Sequence, residues 1–308
     1  MYWRLALISL IVICIGRATL LANEGILLDI DSSAVLEISP LSGGEPRAGK
    51  RANVTPLEYE GTEVFHTIYL PQNWERNGKR LPIIFEYTGN YFPKSGSTGE
   101  VEDAALGYGI TGGKCIWVSL PYISENGRDN QVTWWGDERA TVRYAKVNVP
   151  RIIAEYNADP RAVFLCGFSR GAIGVNYLGL YDDEVAQLWT AFITHDHFDG
   201  IREWRNTEWG TPLEAYRANA IERLERVGGR PYLVSQNGDK YGTEAFIESV
   251  LPRIDNFMIL NIDTQKVFGS FPHPIAPHPH TDRWLQLPSP YRSQVWRWVN
   301  EVIGSIDE

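Results

Sequence analysis

The chain is 308 residues long, 44% hydrophobic and 22% charged, which excludes a disordered or fibrous polypeptide. Its net charge of −9 repels phosphate backbones and anionic headgroups, so nucleic acid is excluded as an expected partner. Three cysteines in a chain of this length exclude a disulfide scaffold.

The first element is not part of the folded domain. Arg4 is followed by an apolar run from Leu5 to Ile15, interrupted only by Ser9, and by the small residues Gly16, Ala18 and Ala22. That layout predicts a secretory signal peptide over residues 1–22, too short to anchor comfortably in a bilayer. Its removal takes away Arg4 and Arg17 and no carboxylate, so −9 becomes −11. A secreted or periplasmic protein with no membrane partner is expected. Cys115 and Cys166 remain, each inside an apolar run, and read as two packed thiols rather than a bridge. No linker or internal repeat divides residues 23–308, which predicts one domain.

From about residue 66 strand-like and helix-like runs alternate, the pattern of an α/β fold with a mostly parallel sheet covered on both faces. The predicted strands are His66–Leu70, Leu81–Tyr87, Cys115–Leu120, Ala162–Cys166, Trp189–Thr194, Pro231–Ser235 and Asn256–Ile262. Their nearly continuous apolar content suits burial on both sides. A helix ends near Tyr156, with Pro150 either kinking or starting it. Residues 200–229 exceed a plain crossover and predict a partial, lid-like insertion. Within it Thr211-Pro212-Leu213-Glu214 reads as a capping box and Gly228-Gly229 as the stop. Ser289-Pro290 opens the last helix, whose Val295, Trp298, Val299, Val302 and Ile303 form an inward stripe.

The run Ala162–Cys166 leads directly into Gly167-Phe168-Ser169-Arg170-Gly171. A serine hydroxyl becomes a nucleophile only where a base can reach it, and a sharp strand-to-helix turn presents it there in a strained conformation. The glycines relieve backbone collisions in such a turn, and Gly174 is expected to let the following helix press on the sheet. Ser169 is therefore the candidate nucleophile, with the backbone N–H of Arg170 aimed at a developing oxyanion.

The tract from Tyr156 to Ser169, together with Tyr69-Leu70-Pro71 and Leu81-Pro82-Ile83-Ile84, resembles secreted α/β-hydrolase esterases of the feruloyl-esterase and polyhydroxybutyrate-depolymerase-like group. The resemblance covers the order of elements over roughly residues 60–300. It implies the α/β-hydrolase fold and hydrolysis of a carboxylic ester and does not fix a substrate; ester decorations on polysaccharides or short-chain polyesters are the expected ones. In that fold the acid and the base follow the serine in the chain. His280, between the last strand and the final helix, leads as base, with His278 behind it. Asp239, off the end of Pro231–Ser235, is the chosen acid; Asp196 and Asp199 compete for the role. The second oxyanion donor is expected from Thr88-Gly89-Asn90-Tyr91, through the N–H of Asn90 or Tyr91. There Thr88 departs from the family's usual histidine before the glycine. Glu86 reads either as a hydrogen-bond partner near the site or as a solvated residue.

Other signals compete with this one. Gly107-Tyr108-Gly109-Ile110-Thr111-Gly112 fits a dinucleotide fingerprint but precedes a strand instead of following one, so no cofactor is expected. The pairs His195-Asp196-His197 and His278-Pro279-His280 carry zinc-type ligands, yet the second must also supply the base, and no metal is expected. Trp134, Trp135, Trp204 and Trp209 fall on the side where the nucleophile opens and suit stacking on a sugar ring or aromatic acyl group. A serine peptidase on the same scaffold is the alternative enzyme. A secreted binding protein that kept the fold and lost the chemistry is the alternative outside catalysis.

Overall fold

The computed structural model describes Leu28, residues 32–238 and residues 242–306. The predicted signal segment 1–22 and Asp239 lie outside the described residues.

Eight strands among the described residues form a single sheet in the order β1-β2-β4-β3-β5-β6-β7-β8. They are β1 (Arg51–Val54), β2 (His66–Tyr69), β3 (Leu81–Tyr87), β4 (Ile116–Leu120), β5 (Ala158–Phe168), β6 (Ala191–His195), β7 (Tyr232–Asn237) and β8 (Phe257–Ile262). β1 and β2 run antiparallel to their neighbours, and every pairing from β4 to β8 is parallel. All seven predicted strands are present, with ends shifted by a few residues. β1 escaped prediction because Arg-Ala-Asn-Val is short and lacks an apolar pattern.

The helices are α1 (Leu106–Thr111), α2 (Glu138–Glu155), α3 (Arg170–Tyr177), α4 (Asp183–Ala186), α5 (Leu213–Glu225), α6 (Thr243–Val250), α7 (Thr264–Phe268) and α8 (Pro290–Ile306). Core clusters cover the two sheet faces. One gathers Ile83, Phe85, Val163, Leu165 and Phe192 with α2 and α3. The other gathers Ile84, Phe164, Cys166 and Ile193 with the inward stripe of α8. Alternate residues of one strand thus serve opposite cores, which is why the strands read as apolar throughout. Cys115 and Cys166 are both free and buried.

Local signals fared unequally. Ser289 Oγ accepts the Arg292 N–H (3.1 Å) at the start of α8, as its position promised. Pro150 neither starts α2 nor ends it; the helix begins after Asp137, whose carboxylate accepts the Ala140 N–H (2.9 Å), and runs through the proline. The capping box does not form, because the Thr211 hydroxyl donates to the Trp204 carbonyl (3.0 Å) and Pro212 stands at the helix entry. Gly107 and Gly109 lie inside α1, where a Cβ would come within 2.6 Å of Trp117 and 2.5 Å of Leu285. Close packing of α1 on Trp117 of β4 and on Leu285 in the turn before α8 accounts for that glycine pattern. No helix among the described residues is long and apolar enough to cross a membrane.

Candidate active site

β5 ends at Phe168 and α3 begins at Arg170, leaving Ser169 alone at the turn with φ 54° and ψ −115°. This is strained territory for a residue with a side chain. The flanking glycines make it possible. A Cβ on Gly167 would lie 2.1 Å from the Gly171 carbonyl oxygen, and one on Gly171 would lie 1.8 Å from that of Tyr87. Gly174 behaves differently from expectation: a Cβ there would lie 3.3 Å from the Trp135 ring, so it faces that indole and not the sheet.

His280 Nε2 lies 2.9 Å from Ser169 Oγ, and His280 Nδ1 lies 2.7 Å from Asp196 Oδ2. A carboxylate accepts only, so Nδ1 carries the proton and Nε2 is left to accept from the serine. The carboxylate on the base is therefore that of Asp196, one residue beyond β6. Its other oxygen accepts the Asn237 N–H (2.7 Å). Burial alone would raise the Asp196 carboxyl. His195, the His280 hydrogen bond and the Asn237 amide outweigh it and hold the group well below the usual carboxylate range. Asp199, the other competitor, is engaged elsewhere: Arg223 pairs with it at 2.8 Å and the Tyr216 hydroxyl donates to it at 2.7 Å.

His278 supports the base instead of replacing it, since its Nδ1 accepts the backbone N–H of His280 (3.0 Å). His195 holds the same loop from below. Its Nε2 donates to the Thr281 carbonyl (3.1 Å), its Nδ1 lies 3.1 Å from Ser235 Oγ, and burial lowers its basicity. Phe168 packs between the His195 and His280 rings, with centroids 5.6 and 4.6 Å away. The histidines of both clusters are thus tied into hydrogen bonds and ring packing, and the described His, Cys, Asp and Glu residues form no group of three suited to a metal.

As the first residue of α3, Arg170 has an N–H with no carbonyl to meet inside the helix. In the facing loop the Tyr91 N–H donates to the Val132 carbonyl (2.9 Å), so Tyr91 is not available as an oxyanion donor. The Asn90 N–H has no hydrogen-bond partner among the described residues. The Asn90 side chain accepts the Trp134 N–H (2.7 Å) and its carbonyl accepts from Ser97 Oγ (2.8 Å), which pins the loop on both sides.

Above these groups lies a cavity of about 540 Å³ lined by Asn90, Trp134, Ser169, His197, Trp204 and His280, among others. Trp134 and Trp204 meet edge to face at 5.0 Å and form one wall. Trp135 and Trp209 do not line it. Trp135 is buried and stacks on Tyr177 at 4.9 Å, and Trp209 wedges between Trp135 and Tyr216. Two of the four tryptophans expected to meet substrate are packing residues, because the stretch after β4 and the stretch before α5 clasp each other through their indoles.

Sequence reasoning missed the side chain of Arg170. It is buried, and its guanidinium donates to the carbonyls of Gln131, Trp134, Gly89 and Gly99 and to Thr88 Oγ1. An arginine between two small residues in a buried turn was the available signal. Glu86 is fully buried and accepts from the Leu106 and Gly107 amides and from Trp117 Nε1. It anchors the start of α1 and is not solvated.

No protein-family model matches the chain, and no curated protein sequence does. Solved structures do. An S-formylglutathione hydrolase from Agrobacterium tumefaciens gives a TM-score of 0.50 at 15% identity, over 86% of this chain and 100% of that one. The esterase Est22 gives 0.49 at 13% identity, over 82% and 80%. A feruloyl esterase module from Clostridium thermocellum, complexed with sinapinate, gives 0.47 at 16% identity, over 85% and 95%. The chain has the α/β-hydrolase fold, as its resemblance to that superfamily implied.

Proposed function

We propose that this chain is a serine esterase in which Ser169 is the nucleophile, His280 the base and Asp196 the acid. The observation that carries the reading is the continuous chain Ser169 Oγ–His280 Nε2 (2.9 Å) and His280 Nδ1–Asp196 Oδ2 (2.7 Å), built around a strained serine. Asp196 replaces Asp239 in this assignment because its carboxylate is the one on the base.

The chemistry follows from the geometry. Ser169 Oγ attacks the ester carbonyl while His280 Nε2 takes its proton, and Asp196 stabilises the imidazolium and fixes its tautomer. Negative charge collects on the former carbonyl oxygen, where the N–H groups of Arg170 and Asn90 receive it. Collapse expels the alcohol, which takes the proton back from His280, and leaves an acyl-enzyme. Water then attacks the acyl-enzyme by the same route in reverse. The Trp134–Trp204 wall suits a planar acyl group or a sugar face. We favour ester decorations on polysaccharides or short-chain polyesters, met outside the cytoplasm after removal of residues 1–22.

A fluorophosphonate probe tests the reading directly, since it reacts only with an activated serine. The wild-type chain is expected to label and to hydrolyse aryl acetates, and Ser169→Ala to do neither. An unlabelled wild type, or labelling that survives Ser169→Ala, would overturn the assignment.

A further inference from the structure

The Arg170 side chain is a buried cation placed beside the reacting centre with no acid on it. Its five hydrogen bonds run to neutral oxygens at 2.8–3.2 Å, and its Cζ lies 3.9 Å above the Tyr122 ring. Glu100 is the one carboxylate among the described residues whose charge it feels, and at a distance beyond pairing. Burying an unpaired charge is costly, so this arrangement calls for a reason beyond packing.

What the guanidinium touches supplies the reason. Nη1 binds the Gln131 and Trp134 carbonyls, and Nη2 binds Thr88 Oγ1 and the Gly89 and Gly99 carbonyls. These belong to the two stretches that form the cavity wall around Asn90 and Trp134. The Gly89 carbonyl and the Asn90 N–H are the two ends of one peptide unit, conjugated through the C–N bond. A charged donor 2.9 Å from that oxygen draws electron density through the amide and makes the N–H at the other end a stronger donor. Thr88, standing where the family's histidine is expected, joins the same clamp through its hydroxyl. Tyr122 closes it, its hydroxyl donating to the Thr88 carbonyl (2.9 Å).

We propose that the Arg170 side chain is a positioning residue for the oxyanion site, holding the Thr88–Asn90 loop in place and polarising the Gly89–Asn90 peptide so that its N–H stabilises the transition state. Arg170 then serves the site twice, through its own backbone N–H and, by way of its side chain, through that of Asn90. The proposal rests on the esterase reading above. It asks the guanidinium to act on kcat, because the oxyanion is present in the transition state and absent from the ground state.

The test measures kcat and KM for p-nitrophenyl acetate, fluorophosphonate labelling and thermal melting on full-length wild type, Arg170→Gln and Arg170→Lys. Wild type must first turn over and label; if it does not, the esterase reading falls and this proposal with it. With an active wild type, Arg170→Gln is expected to lose about 100-fold in kcat, as for removal of one oxyanion donor, with KM changed by less than about threefold. Arg170→Lys keeps the charge without the planar fork and is expected to recover at least tenfold over the glutamine variant. A folded Arg170→Gln with wild-type kcat overturns the proposal alone. So does a loss that falls on KM, or one that lysine does not relieve, since either marks a merely structural role. Should the glutamine variant fail to fold, the lysine variant decides: a loss of about tenfold in kcat at unchanged KM supports the proposal, and wild-type kcat overturns it.

Discussion

Asp196 combines two demands that rarely meet in one residue. Its backbone is left-handed, with φ 70°, a conformation that aspartate and asparagine tolerate better than most side chains. Its N–H donates to the Ser235 carbonyl (3.0 Å) while its carboxylate receives the Asn237 N–H and the His280 ring. Asp196→Asn respects the backbone and nearly the same volume. It places either an amide N–H against a ring N–H or forces His280 into the tautomer that cannot accept from Ser169. We expect kcat to fall by about 10³–10⁴ with melting temperature little changed, by analogy with the same exchange in other serine triads. Assaying Asp239→Asn beside it settles the acid: full activity in Asp196→Asn and loss in Asp239→Asn would transfer the role. The sequence could not separate the two because β6 and β7 pair in parallel, His195 opposite Ser235. Carboxylates just beyond either strand therefore arise at the same sheet edge. The Asp196 carboxylate reaches the base from a left-handed backbone, and no pattern of residue types encodes that.

At the scale of elements, the parts that were legible are those in which one backbone demand permits few residue types. The turn at Ser169 needed glycine at 167 and 171, and the strands, buried on two faces, needed nearly continuous apolar runs. The parts that were hidden depend on tertiary partners. Thr211 had the right type for a cap but met the Trp204 carbonyl first, and four tryptophans on one side sorted into wall and filler only once packed. The glycines yield a contrast that can be measured. Gly171→Ala would put a methyl 1.8 Å from the Tyr87 carbonyl oxygen, a backbone atom of the central strand that cannot step aside. We expect loss of at least about 3 kcal/mol and of soluble, active protein. Gly304 sits in α8, where an added Cβ would meet nothing within 4 Å. There alanine relieves the entropic cost of helical glycine, and Gly304→Ala is expected to gain about 0.5–1 kcal/mol, or about 1–3 °C in melting temperature. A stable Gly171→Ala would mean that α3 does not press on β3 as closely as described.

Across the whole molecule, the sheet carries a buried carboxyl at its centre. Glu86 lies on β3 with no exposure, and its carboxyl is pushed up to about 8 by burial, with the charge of Asp282 adding to the effect. The Leu106 and Gly107 amides and Trp117 Nε1 oppose the shift without cancelling it. A carboxyl whose folded value stands above its ordinary 4.5 favours the folded state while it is protonated. That contribution is complete below about pH 4.5 and is lost as pH rises through about 8. The buried histidines act in the opposite sense: burial lowers His66, His195 and His197. Their contribution is lost on acidification and is complete above the ordinary histidine value near 6.5. Between about pH 6.5 and 8.5 the histidines are therefore silent and Glu86 dominates, so the melting temperature of the wild type should fall across that window by about 2–4 °C. Asp282→Asn keeps an oxygen for the Ala105 N–H that Asp282 accepts (3.1 Å) and removes the neighbouring charge. Glu86 then ionises at lower pH, and the fall over the same window should be shallower. Melting curves at half-unit intervals of pH, in buffers of matched ionic strength, measure both slopes. Equal slopes in the two proteins would mean that Asp282 does not govern the ionisation of Glu86. The stake reaches beyond stability, because Asp282 follows His280 by two residues and Glu86 precedes Thr88 by two. Asp282 accepts the Ala105 N–H and Glu86 the neighbouring Leu106 and Gly107 amides, so the loop that carries the base and the strand that leads to the oxyanion donor are both fastened to the start of α1.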